Sequence, residues 1–207
     1  MNLINSQYIQ ATSSEHQSLY QIKHPLFNAE ISSFGAQLLS FEPHGEKDLL
    51  WLSQSAIQDG SKAIRGGVPI CWPWFGPAPS KFAGEPQHGY LRNLNWTISS
   101  FEETEQSVTL EFELKDPEQI EQKLGLNAKI RFSFSEYAEI QIVTTNMSDK
   151  AFELSQAIHT YFNVEDISQT SIESLTGSQF IDKLLASNTC TQGSKLIVDK
   201  AMDRVYL

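Results

Sequence analysis

Residues 107–115, SVTLEFELK, decide the fold class of this chain. Apolar and polar side chains alternate from Val108 to Leu114, which is the period of a β-strand with one buried face. The same alternation recurs at 130–135 and 140–144, and the polar residues between these runs predict a hairpin. Further strand-like segments, separated by Asn, Asp, Gly and Ser, are 20–23, 27–32, 37–42, 96–101, 152–162 and 169–173. This spacing predicts an all-β sandwich or barrel.

Helical patterns are scarce. Residues 116–124, DPEQIEQKL, have an acidic cap, a proline in the first turn and helix-forming residues after it, so one short helix is expected there. The absence of strand–helix–strand alternation argues against a doubly wound nucleotide-binding fold. Since the sequence has no repeat, low-complexity tract or linker, it is predicted to form one domain over residues 1–207.

The overall charge restricts the partners. The 207 residues include 25 acidic and 15 basic side chains, which gives a formal net charge of -10. Such a field repels phosphate backbones and anionic lipid surfaces, so neither a nucleic acid nor a membrane is expected as a partner. No apolar run approaches the roughly 18 residues that a membrane helix needs.

The cysteines and the N-terminus indicate the compartment. Cys71 and Cys190 are far apart and form no CxxC pattern, and MNLINSQYIQ at 1–10 does not resemble a secretory signal. We therefore expect a cytoplasmic protein with two free thiols. No His, Cys or carboxylate positions have a metal-ligand spacing, so no metal and no other cofactor is predicted.

Residues 64–93, IRGGVPICWPWFGPAPSKFAGEPQHGYLRN, depart from the strand pattern. This stretch holds five of the eight prolines and five of the eleven glycines of the chain. Because proline restricts the backbone and cannot donate to a ladder, we expect a long, stiff loop without a ladder of its own. Long ordered loops in compact domains usually carry function, so a site is expected here.

Arg65 and Arg92, two of only four arginines, flank this loop. A guanidinium presents a planar set of donors that matches phosphate oxygens or vicinal hydroxyls. The two arginines therefore fit the binding of an anion, but each could instead pair with one of the 25 acidic side chains, and structural ion pairs are commoner than ligand sites. The sequence leaves both interpretations open.

Two of the five histidines lie where a site could be. His88 lies in the loop, and His159 lies among apolar neighbours in the predicted strand 152–162. An imidazole in such a strand is either a hydrogen-bonded core group or a poised acid. The histidines predicted to be solvated at the surface are His16, His24 and His44.

Ordered motifs along the chain resemble one family. They are FGAQL at 34–38, DLLW at 48–51, IRGGVP at 64–69, WPWFG at 72–76, QHGYLR at 87–92, HTYF at 159–162, DK at 182–183 and DRVY at 203–206. The chain resembles the aldose 1-epimerase (galactose mutarotase-like) superfamily, and within it the hexose-6-phosphate 1-epimerase branch of YeaD-like, glucose-6-phosphate 1-epimerase proteins. Because the motifs span nearly the whole chain in order, chance agreement is very improbable.

The resemblance implies a fold and a set of site residues. The fold is a large antiparallel β-sandwich, with the sugar bound across one concave face. His159 is implied as the general acid of the reaction. The substrate-binding residues implied are Arg65, Gln87, His88, Arg92 and Asp203. The activity implied is the interconversion of α and β anomers of glucose 6-phosphate and related aldose 6-phosphates, a small sugar phosphate being the partner.

The chain departs from the family pattern at its end. The family's general base is a glutamate downstream of the DRVY motif, whereas this sequence ends at Leu207. We therefore expect a single sandwich domain that lacks the family's C-terminal strands and this base. Glu165 and Asp166 follow His159 closely, but they match no family position and are expected to be solvated turn residues.

Three interpretations remain open at this point. The chain is a hexose-6-phosphate mutarotase, a sugar-phosphate-binding protein without turnover, or a mutarotase of neutral aldoses in which Arg65 and Arg92 contact hydroxyls. A complete member of the family is expected to be a monomer. A sandwich without its final strands exposes an unpaired edge and apolar surface, so reduced stability or association through that edge is expected.

Overall fold

The computed structural model describes residues 6–185 and 188–207, which group into two compact units that divide between Asn163 and Val164. The strands of the first unit are β1 (Ile9–Ser13), β2 (Ser18–His24), β3 (Phe27–Ser32), β4 (Gln37–Pro43), β5 (Ile70–Cys71), β6 (Trp96–Glu103), β7 (Val108–Leu114), β8 (Leu126–Phe134), β9 (Ala138–Asn146) and β10 (Ala157–Ile158). Its α-helix is α1 (Glu118–Leu124), and one-turn 3-10 helices lie at Ser80–Phe82 and Leu91–Asn93.

Two antiparallel four-stranded sheets form the body of this unit. One has the order β1-β2-β3-β4 and the other β6-β7-β8-β9. Their apolar faces meet, as the ring centroids of Phe27 and Phe134 are 5.7 Å apart and those of Tyr20 and Phe112 are 5.6 Å apart. Burying one such side chain stabilises the fold by about 1.5–3 kcal/mol. The all-β antiparallel sandwich is therefore confirmed.

The alternation of the opening stretch appears directly in the structure. Val108, Leu110 and Phe112 on β7 are fully buried, while the residues between them are partly exposed. The hairpin expected after 130–135 is β8–β9, in which Ile130 lies opposite Ile142. The short helix is also confirmed, since α1 buries Ile120 and Leu124 and ends at Gly125, which has a left-handed backbone. Most of the core thus follows from the period of the sequence.

Two expectations are wrong. The sequence predicts one strand over residues 152–162, but only Ala157–Ile158 forms a ladder. The neighbouring segments are loops, and they pair with the rest of 152–162 only through isolated β-bridges. His24 was expected at the surface, but it is buried. Its Nε2 lies 3.1 Å from the Thr104 carbonyl oxygen and its ring stacks on Phe27 at 4.8 Å.

The second unit consists of short strands. They are β11 (Ser171–Ile172), β12 (Gln179–Asp182), β13 (Asn188–Thr191), β14 (Leu196–Ile197) and β15 (Arg204–Tyr206), with a 3-10 turn at Ile167–Gln169. β12 is the centre of a three-stranded sheet with β13 and β15, and β11 pairs with β14. The single domain over residues 1–207 stays a prediction. In the described parts of the chain, no helix has the length and apolar character that crossing a membrane requires.

Candidate active site

Residues 64–93 are tied by backbone hydrogen bonds to the segment that contains His159. β5 pairs with β10, and directly after this pair the His159 N–H donates to the Pro69 carbonyl at 3.0 Å. On the other side, the Ser155 N–H donates to the Pro73 carbonyl at 3.0 Å. The expectation of a loop without any ladder is therefore wrong at β5, whose partner lies far away in the sequence.

The C-terminal part of the loop, residues 88–90, is hydrogen-bonded to Trp72 near its start. The Trp72 N–H donates to the His88 carbonyl at 3.3 Å, and the Tyr90 N–H donates to the Trp72 carbonyl at 2.9 Å. Gly89 lies between them with φ +70°, and a Cβ at this position would be 1.9 Å from the Trp72 carbonyl oxygen. Only glycine permits this approach, so the contact determines where His88 lies.

The loop and β10 together bring the two candidate histidines side by side. The ring centroids of His88 and His159 are 6.2 Å apart, with an angle of 74° between the ring planes. Phe75 lies 5.0 Å from His88 and 6.0 Å from His159, and Tyr161 lies 5.0 Å from His159. Trp51 continues the row at 5.9 Å from Tyr161 and is 39% exposed.

Aromatic side chains with a few polar groups are typical of small-molecule sites. Trp51, Phe75 and Tyr161 were not predicted as site residues, although each lies inside a motif that pointed to the family. The signal that could have identified Phe75 and Tyr161 is the density of aromatic residues at 72–76 and 159–162, whereas Trp51 stands alone in its motif.

The nitrogens of the two imidazoles are in different surroundings. The Gly76 N–H donates to His88 Nδ1 at 3.0 Å, so Nδ1 accepts and the neutral ring carries its proton on Nε2. Nε2 is therefore the donor position of the neutral His88 ring. His159 Nδ1 is buried and has no hydrogen-bond partner among residues 6–185 and 188–207.

The two arginines that flank the loop have no carboxylate partner among the described residues. Arg65 is exposed, whereas Arg92 is half-buried and its Nη2 donates to the Gln87 carbonyl at 3.1 Å. By contrast, Arg204 Nε lies 3.4 Å from a carboxylate oxygen of Asp182. The alternative that Arg65 and Arg92 form structural ion pairs is therefore not found among the described residues, and the exposed Arg65 presents its donors to solvent.

Arg92 also acts on a buried thiol. Burial raises the pKa of Cys71, while the positive charge of Arg92 acts in the opposite direction. The thiol is 1% exposed, so it is a neutral core group of β5 at pH 7.

The remaining residues suggested by the sequence belong to the second unit. Asp203 is exposed, and a carboxylate oxygen lies 3.7 Å from Lys183 Nζ. The Asp166 carboxylate accepts hydrogen bonds from the Ser168 N–H at 2.9 Å and Oγ at 2.7 Å, and these bonds lower the pKa of Asp166. Asp166 is thus an exposed capping residue, as expected. No group of three or more His, Cys, Asp or Glu within the described residues could hold a metal ion.

Comparisons with known proteins agree with the motifs. The family model described as aldose 1-epimerase matches residues 18–207. A curated relative from Escherichia coli (strain K12), named "putative glucose-6-phosphate 1-epimerase", is 41% identical over 193 residues, which cover 91% of this chain and 63% of the relative. The chain therefore spans less than two thirds of that relative's length.

Solved structures give the same assignment. The crystal structure of a "putative mutarotase (YeaD)" from Salmonella typhimurium matches with a TM-score of 0.88 and 34% identity, over 98% of this chain and 68% of that one. A galactose mutarotase-like protein from Clostridium acetobutylicum, at 14% identity, matches with a TM-score of 0.66 over 84% of this chain and 60% of that one, which shows a shared fold. Since the family model matches nearly the whole sequence, the chain belongs to the aldose 1-epimerase family.

Proposed function

We propose that this protein binds aldose 6-phosphates and interconverts their α and β anomers, with glucose 6-phosphate as the expected substrate. The observation that carries the proposal is that the loop placing His88 against His159 is flanked by two arginines with no carboxylate partner among the described residues, in a chain of net charge -10. The names of the relatives from Escherichia coli and Salmonella typhimurium support the same reaction.

The reaction consists of two proton transfers. The ring oxygen gains a proton while the anomeric hydroxyl loses one, so the bond from C1 to the ring oxygen breaks and an open aldehyde forms. Rotation about the C1–C2 bond and reclosure give the other anomer, and the protons return. Imidazole suits the first transfer because its ordinary pKa lies near neutral pH.

The proposal gives the two histidines different tasks. His159 protonates the ring oxygen as the general acid. His88 donates a hydrogen bond from Nε2 to a sugar oxygen, because its Nδ1 is occupied by the Gly76 N–H. The ring of Tyr161 and the neighbouring aromatic side chains pack against the apolar face of the sugar.

Arg65 and Arg92 bind the 6-phosphate, with Gln87 beside Arg92. Local cations are needed because the net charge of -10 disfavours the approach of an anion. Asp203 contacts sugar hydroxyls. For the proton of the anomeric hydroxyl, the family resemblance names a glutamate downstream of 203–206, and no side chain of residues 1–207 is assigned to this step.

The test is anomer exchange followed by NMR on glucose 6-phosphate and on glucose, above the spontaneous rate. We expect catalysed exchange of the phosphate sugar and a loss of about 100-fold or more in His159→Ala, since general acid catalysis contributes about 10²–10⁴-fold. His44→Ala is the matched control, because His44 is exposed and outside the site. Arg65→Ala should weaken the response to glucose 6-phosphate and leave the response to glucose unchanged.

The outcomes separate the alternatives. Binding of glucose 6-phosphate without exchange would favour a non-catalytic sugar-phosphate-binding protein. Equal rates on glucose and glucose 6-phosphate, unaffected by Arg65→Ala, would favour a mutarotase of neutral aldoses. Exchange that is independent of His159 would contradict the assigned acid.

A further inference from the structure

Gln37 is a fully buried polar side chain at the start of β4. Its Nε2 donates two hydrogen bonds, to the Ile64 carbonyl at 3.1 Å and to the Gly66 carbonyl at 2.7 Å. These two carbonyls lie on either side of Arg65. One amide group therefore holds the backbone both before and after the exposed guanidinium.

Other contacts complete the support around Arg65. The Ser53 N–H donates to the Arg65 carbonyl at 3.1 Å. At Gly66, a Cβ would lie 2.5 Å from the Trp51 carbonyl oxygen, so the backbone presses directly against the neighbouring segment. The main chain of Arg65 is thus held on several sides, while its side chain forms no ion pair with the described residues.

The oxygen of the Gln37 side-chain amide is in different surroundings from its nitrogen. Gln37 Oε1 is buried and has no hydrogen-bond partner in the described portion of the chain. The two bonds from Nε2 are therefore what orients the Gln37 side chain among the described residues.

The residues just before Gln37 also contact the backbone of the second arginine, Arg92. Gly35 has φ +80°, and a Cβ there would lie 3.0 Å from the Arg92 carbonyl oxygen. The Gly35 N–H donates to the Leu94 carbonyl at 2.8 Å. The short stretch from Gly35 to Gln37 therefore touches the backbones that carry both arginines, although these are 27 residues apart in the sequence.

We propose that Gln37 is a positioning residue for phosphate recognition, which acts through the carbonyls of Ile64 and Gly66 to hold Arg65 where it meets the 6-phosphate. This inference rests on the proposed binding of aldose 6-phosphates. Gln37 itself does not touch the ligand, because it is fully buried. Its effect on affinity passes through Arg65.

A double-mutant cycle on the full chain tests this dependence. Binding of glucose 6-phosphate is measured by calorimetry for the unmodified protein, Gln37→Met, Arg65→Ala and the double variant. Methionine keeps the volume and removes both donors. We expect Gln37→Met to weaken binding about 10-fold, and to have less than about a 2-fold effect when Arg65 is already alanine. A Gln37 with a merely structural role would give the same loss in both backgrounds.

Gln17→Met is the matched control. Gln17 is also buried, and its Nε2 donates to the Gln58 carbonyl at 2.7 Å, but in the described part of the chain none of its hydrogen bonds reaches the backbone around Arg65. It should lower the unfolding midpoint without a change in affinity. If Gln37→Met does not fold, Gln37→Asn retains an amide that reaches one carbonyl, and it should give an intermediate loss of affinity.

The possible failures are distinguishable. Arg65→Ala with unchanged affinity, or no binding by the unmodified chain, would refute the phosphate site of the proposed function and the role of Gln37 with it. A loss in Arg65→Ala together with an additive or absent effect of Gln37→Met would overturn the role of Gln37 alone. The control excludes a general effect of losing a buried glutamine.

Discussion

A methyl group added at Gly89 should disrupt the candidate site, and the structure indicates how much free energy of unfolding the protein should lose. The Cβ of an alanine there would be 1.9 Å from the Trp72 carbonyl oxygen, whereas ordinary contacts of carbon with oxygen lie at about 3.3 Å or more. The two backbones must therefore separate by more than about 1 Å. This movement breaks the bond from the Tyr90 N–H and strains the one to the His88 carbonyl.

The expected cost has two parts. A residue with a side chain in the left-handed region costs about 1–2 kcal/mol. Displacing packed backbone and losing one or two hydrogen bonds adds about 2–3 kcal/mol. Gly84→Ala isolates the first part, because Gly84 has φ +90° in the same loop and nothing lies within 4 Å of its Cβ position.

The assay is urea unfolding followed by the fluorescence of the four tryptophans. We expect Gly84→Ala to lower the free energy of unfolding by about 1–2 kcal/mol and Gly89→Ala by about 3–5 kcal/mol. Equal losses in the two variants, within about 0.5 kcal/mol, would refute the close approach of Gly89 to Trp72.

Three further predictions concern thiols, acid and association. A thiol reagent should modify Cys190 in the native protein and reach Cys71 only after unfolding, because Cys71 is buried with a raised pKa; modification of both at one rate would contradict this. A hydrogen bond from Lys123 lowers the pKa of Glu85, so the stability from this pair is present above the ordinary carboxyl pKa and is lost as the pH falls through the lowered one. In urea unfolding across acidic pH, Glu85→Gln should not show this loss of stability. The same pH dependence in the variant and the unmodified protein would exclude a contribution from the pair. β9 pairs only with β8 among the described residues and has exposed apolar side chains nearby, so its free edge should promote self-association. Sedimentation should show a mass that rises with protein concentration, and a monomer mass at all concentrations would contradict this.

The regular strands could be predicted because their partners are near in sequence and one face is buried. Val108 to Leu114 shows the alternation directly, and β8 follows its hairpin partner after a short turn. The segment 152–162 could not be predicted in the same way, since its apolar composition suits a strand but its neighbours are loops. Propensity alone does not reveal the partner of a strand.

The candidate site shows the same division. The prolines and glycines of 64–93 predict its place in the chain, and the scarcity of arginine indicates Arg65 and Arg92. The role proposed for Gln37 had no local signal, because the carbonyls that it binds are 27 and 29 residues away. In the sequence, a glutamine at the first position of a strand looks like any other polar residue. Only folding brings it next to these carbonyls.

The backbone bond from the His159 N–H to the Pro69 carbonyl also bears on the order of folding. The two four-stranded sheets are built from successive hairpins, whereas this bond closes a loop of 90 residues and pays a larger entropic cost. The histidine pair should therefore assemble after both sheets have formed. A chain released ahead of residue 159 would contain every strand of the two four-stranded sheets but not the histidine pair.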